Sequence, residues 1–60
     1  MKKYKITSPY WFKDGSHEAY VDAHYYAELP DSYEFFFNNG IEVINVFSIT
    51  KFCVSKIELI

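Results

Sequence analysis

The chain has no arginine, a single cysteine, two glycines and two prolines among its 60 residues. One thiol cannot close an internal disulfide, and no Cys/His spacing of zinc-site type is present, so neither staple supports the fold. Neither glycine stands in a phosphate-cradling loop. Most telling is the absence of positive charge from the middle. Between Asp14 and Thr50 there is no Lys or Arg, while Asp14, Glu18, Asp22, Glu28, Asp31, Glu34 and Glu42 all fall there. The six lysines lie outside that interval, which predicts a largely one-sign surface around the middle of the molecule. Such a surface repels phosphate and attracts basic proteins.

Long apolar runs are missing too. Thr7, Ser8, Pro9 and Lys13 interrupt any signal-peptide core after the charged start Met1-Lys2-Lys3. Ile41 to Ile60 is the most apolar stretch, yet Glu42, Asn45, Lys51, Lys56 and Glu58 fall within it. The expectation is a cytoplasmic protein with no membrane association.

What the chain does have is aromatic side chains. Six Tyr, six Phe and Trp11 make thirteen, 22% of the residues. A domain of this length buries only about 60% of the surface its unfolded chain exposes. Large aromatic area per residue offsets the ordering entropy that disulfides or metal would otherwise counter. The chain therefore reads as one small domain, residues 1–60.

Turn chemistry divides it at near-regular intervals: Asp14-Gly15, Leu29-Pro30-Asp31-Ser32 and Asn38-Asn39-Gly40. The segments between are rich in Tyr, Phe, Val and Ile, which predicts an all-β fold, a small antiparallel meander or open barrel of four to five strands. Residues 16–29 carry the one real alternative. Ala19, Val21, Ala23, Tyr25, Ala27 and Leu29 alternate with Tyr20, Asp22, His24, Tyr26 and Glu28, a strand pattern. A helix there, capped by Ser16 and ended by Pro30, would instead give an α+β fold with that helix on a three- to four-stranded sheet.

For the Asn38-Asn39-Gly40 hairpin, a three-residue loop sorts polar from apolar best. Tyr33, Phe35, Phe37, Ile41, Val43 and Phe47 then share one face, and Glu34, Phe36, Glu42, Ile44 and Val46 the other, with Gly40 left-handed. The second face keeps three apolar residues, so another element covers it or it is an interface. The register of Phe52 to Ile60 is open from pattern alone.

No constellation favours catalysis. Asp22, His24 and Glu28 would share a strand face with Tyr20 and Tyr26, but their simplest reading is a solvated polar face. His17 reads as a loop residue, and Cys53, between Phe52 and Val54, as a small buried thiol. Of Tyr10-Trp11-Phe12, one or two close the end of the core and at least one is exposed. No metal or cofactor is expected.

The leading functional expectation is a protein-binding module whose acidic, tyrosine-bearing surface occupies a basic site on a larger protein. Asp22, Glu28, Glu34, Glu42, Tyr20, Tyr26, Trp11 and Phe36 are its candidate contact residues. Small virus-encoded or mobile-element inhibitors are similar in size and charge, which makes a stoichiometric inhibitor of a nucleic-acid-binding protein the specific form. A barrel that stacks single-stranded nucleic acid is the first alternative, disfavoured by the net charge of −2 and the acidic middle, although Lys2, Lys3, Lys5, Lys51 and Lys56 would cluster if the chain ends meet. A structural homo-oligomer is the second, and a homodimer is compatible with the leading reading.

Overall fold

The computed structural model describes all 60 residues, Met1 to Ile60. Six strands run antiparallel: β1 (Lys2–Thr7), β2 (Glu18–Ala23), β3 (Tyr25–Glu28), β4 (Ser32–Asn38), β5 (Val43–Thr50) and β6 (Lys56–Leu59), with a 3-10 turn at Lys51–Cys53. They form two three-stranded sheets, ordered β2-β1-β6 and β3-β4-β5. The fold is all-β, and residues 16–29 form strand, not helix.

β2 and β3 are halves of one strand bent at His24, which is how a single run of residues serves both sheets. Ala19, Val21 and Ala23 point inward in β2, as the alternation predicts. Beyond the bend the parity reverses. Tyr26 pairs with the fully buried Phe35 and lies on the core side, whereas Tyr25 pairs with Phe36 on the outside. Asp22, His24, Glu28, Tyr20 and Tyr26 therefore do not share a face, contrary to the simple alternation. His24 holds the corner: its N–H donates to the Phe36 carbonyl at 2.8 Å, and its Nδ1 accepts from the Asn38 N–H at 2.9 Å. An accepting Nδ1 places the ring proton on Nε2.

The core lies between the sheets. Tyr4, Ile6, Val21 and Ala23 from the first sheet meet Phe35 from the second. Phe35 sits at the centre of an aromatic cluster, with ring centroids 5.4 Å from Tyr4, 5.2 Å from Tyr26 and 6.0 Å from Phe47. Inclined contacts at these separations suit the ring quadrupoles.

The hairpin between β4 and β5 is where Asn38-Asn39-Gly40 placed it, but its loop is longer than the three residues that pattern favoured. Asn38 pairs with Val43, leaving Asn39 to Glu42 as the loop. The side chain of Asn39 decides the length, because its Oδ1 accepts from the N–H groups of both Ile41 and Glu42 at 2.8 Å. Asn38 Oδ1 likewise accepts from the Gly40 N–H. A bulge follows: Phe36 pairs with Asn45 and Phe35 with Phe47, so Val46 is the extra residue. The expected core-side set keeps Tyr33, Phe35, Phe37 and Phe47. Val43 moves to the outer face opposite Asn38, and Ile41 leaves the sheet for the loop.

Gly40 has φ +87°, and a Cβ built there meets nothing within 4 Å. Only backbone strain opposes a side chain at this position. Gly40→Ala is expected to cost about 1 kcal/mol in urea denaturation, without changing the fold.

β6 returns to pair with β1, Ile57 opposite Ile6 and Glu58 opposite Lys5. Cys53 belongs to the 3-10 turn rather than a strand and is half-buried, not enclosed; Thr50 Oγ1 donates to its Sγ at 3.5 Å. No helix is long and apolar enough to cross a membrane.

Candidate functional site

The Lys-free interval maps onto the fold unevenly. All three strands of the second sheet come from it, so that sheet carries carboxylates and no cation of its own. The first sheet mixes both signs. On its outer face Lys3 stands opposite Asp22, Lys5 opposite Tyr20 and Glu58, and Thr7 opposite Glu18 and Lys56. Lys5 Nζ reaches Glu18 Oε2 at 2.9 Å, and Lys56 lies 3.6 Å from Glu58. The hydrogen bond from Lys5 to Glu18, then the Glu18 charge, raise the lysine above its ordinary pKa. The expected one-sign surface thus fails here, because β1 brings lysines from outside the interval into register with the carboxylates of β2. Of the lysines near the chain ends, Lys3, Lys5 and Lys56 share this face and are interleaved with Asp22, Glu18 and Glu58, whereas Lys2 stands opposite Ala23 and Lys51 binds Glu28 on the second sheet.

On the second sheet the outer face is built in rows by strand register. Tyr25, Phe36 and Asn45 form one row, Ala27, Glu34 and Ser48 the next, and Asn38 and Val43 lie toward the hairpin. Tyr25 stacks on Phe36 at 5.3 Å with the rings 27° apart. Ser48 Oγ donates to Asn45 Oδ1 at 3.2 Å, which ties down the polar margin. Val43 is half exposed and Ile41, at the hairpin tip, is 94% exposed. The Asn39 bonds hold that tip in a single shape, so Ile41 is an apolar side chain presented on an ordered loop. Glu42 beside it and Glu34 on the face make no ion pair.

Of the eight candidate contact residues, Phe36, Glu34 and Glu42 are brought together here. Tyr20 and Asp22 lie on the mixed-charge face of the first sheet. Tyr26 turns toward the core against Tyr4 and Phe35. Glu28 is held by Lys51 at 2.7 Å, at the far end of the second sheet, where the same ammonium lies 5.5 Å from the Tyr33 ring centre. That contact with Glu28 raises the Lys51 pKa. Trp11 sits in the loop between β1 and β2, exposed, its ring 3.9 Å from His17. His17 Nδ1 donates to the Tyr10 carbonyl at 3.0 Å and so fixes that loop. Phe12 packs against the core, and Tyr10 is exposed. Tyr25, Ile41 and Val43 belong to the face and were not foreseen; the two adjacent asparagines, able to cap their own loop, were the available signal for Ile41.

The concave features are shallow. Pro30, Asp31, Lys51 and Phe52 line a hollow of about 240 Å³. A wider groove of about 680 Å³ opens between the β1–β2 loop, β2 and β5, over Phe12, Ala19, Tyr20 and Phe47. No three His, Cys, Asp or Glu side chains converge to hold a metal ion. No family model, no curated protein and no solved structure matches the chain.

Proposed function

We propose that the chain is a protein-binding module whose contact surface is the outer face of the second sheet with its hairpin tip. One observation carries this reading: an apolar centre, Tyr25 and Phe36 with Val43 and Ile41, is bordered by Glu34 and Glu42 on a sheet with no cation of its own. Aromatic anchors inside a polar rim are the usual composition of an interface. The partner that fits is a larger protein with an apolar patch ringed by Lys or Arg. Basic rings of that kind occur where proteins bind nucleic acid, so the specific form is a stoichiometric inhibitor that covers such a site.

The test is capture of partners on the immobilised protein with and without nuclease treatment, followed by titration of each purified partner against heparin. Under the proposal the partner survives nuclease, its affinity falls with added salt, and heparin displaces the module competitively. A partner indifferent to salt and heparin would remove the basic-site reading, and capture of nucleic acid alone would favour the single-strand binder.

A further inference from the structure

β5 is an edge strand: β4 lies on one side and no strand on the other. Edges are ordinarily guarded by lysine, proline or short length. β5 has eight residues, no proline and no charge, and Val43, Ile44 and Val46 are exposed along it. Its only guard is the bulge at Val46.

Taken outward from the point between Val46 and Phe47, the strand complements its own reverse. Val46 meets Phe47, Asn45 meets Ser48, Ile44 meets Ile49 and Val43 meets Thr50, so amide falls against hydroxyl and β-branched or aromatic residues against one another. Just beyond, Glu42 in the hairpin loop and Lys51 in the 3-10 turn flank the strand with opposite charges, the lysine being held by Glu28 of its own chain.

The bulge is what permits this register. A two-fold axis normal to a sheet keeps each face with itself, so paired residues must point to the same side. In a regular strand residues 44 and 49 point to opposite sides. Here Ile44 pairs with Phe37 and Ile49 with Tyr33, two β4 residues on one face, so the extra residue has restored the match. Asn45 and Ser48, opposite Phe36 and Glu34, share the other face in the same way.

We infer that two copies of this chain pair antiparallel through β5, about a two-fold axis between Val46 and Phe47, joining their second sheets into one sheet of six strands. The open groove over Phe12, Ala19 and Phe47 lies beside this edge and gives room for the inward side chains of the second copy. A basic segment of another protein fits the edge less well, since β5 itself offers no carboxylate. Pairing uses up the edge of each copy, so the assembly closes at two. The outer faces of both copies then lie on one side, which leaves the surface for the partner uncovered and makes the dimer testable without it.

Sedimentation equilibrium at high micromolar concentration should give twice the chain mass of 7.1 kDa. Val46→Lys, at an exposed position, should raise the dimer dissociation constant by roughly a hundredfold while the circular dichroism stays that of the native protein. A second arm covers a misfolded variant: in a Cys53→Ser background, Asn45→Cys protein mixed with Ser48→Cys protein and oxidised with diamide should yield the mixed disulfide dimer. Monomer mass at every concentration, larger open-ended species, a dimer untouched by Val46→Lys, or no mixed disulfide would each overturn the inference.

Discussion

Phe35→Ala is expected to leave the chain largely unfolded at room temperature. Phe35 is fully buried, the largest side chain that is, and its ring meets Tyr4 of the first sheet as well as Tyr26 and Phe47 of the second. Removing a buried phenylalanine ring costs about 3–5 kcal/mol, from lost transfer energy and the cavity left behind. A domain of this length has about 3–9 kcal/mol in all. The cavity would open at the meeting of two sheets, where the few fully buried side chains leave little to collapse into it. Loss of near-ultraviolet dichroism and of a cooperative urea transition is the expected result. A variant that keeps its transition within about 1 kcal/mol of the parent would show that the sheets hold together elsewhere. Tyr26→Phe provides the contrast: it keeps the ring contacts and removes only a hydroxyl, so the transition should be nearly unchanged.

The same cluster shows what could be read from the sequence. Alternation through Ala19, Val21 and Ala23 marks the strand and its buried side, and turns fall at Asp14-Gly15, around Pro30-Asp31 and at the asparagine pair, where the loop runs Asn39 to Glu42 and not the three residues expected. The parity reversal at His24 was not legible, because the residue that stabilises the corner is Asn38, fourteen positions away. Nor was the bulge at Val46, which exists only in relation to β4 and moves Ile44 to the opposite face from the one expected. The lysine-free interval was plain, but its meaning depended on pairing. β1 carries Lys3 and Lys5 to the carboxylates of β2, so the first sheet becomes mixed, while on the second Lys51 reaches back to Glu28 and leaves Glu34 as the strand carboxylate without an ion pair. Sequence order gave the inventory of charge, and strand order decided where it shows.

Reversing Glu34 and Glu42 together should weaken binding to a basic partner by roughly tenfold to a hundredfold, mostly through slower association, and should flatten its salt dependence. Neither carboxylate is committed to an ion pair, so the folded protein loses no salt bridge when they change. Glu34→Lys by itself is the cleaner probe of the face, since Glu34 lies on the central strand β4, while Glu42 also stands at the end of the β5 edge and would affect self-pairing. Asp22→Lys is the matched control. It makes the same change of charge on the first sheet, beside Lys3, where the field is already mixed, and should alter affinity by less than about threefold. An equal loss from Asp22→Lys would mean that net charge, and not the second sheet, drives association. Loss from Glu34→Lys alone would place the basic ring of the partner over Tyr25 and Phe36, because strand pairing puts Glu34 in the row next to theirs.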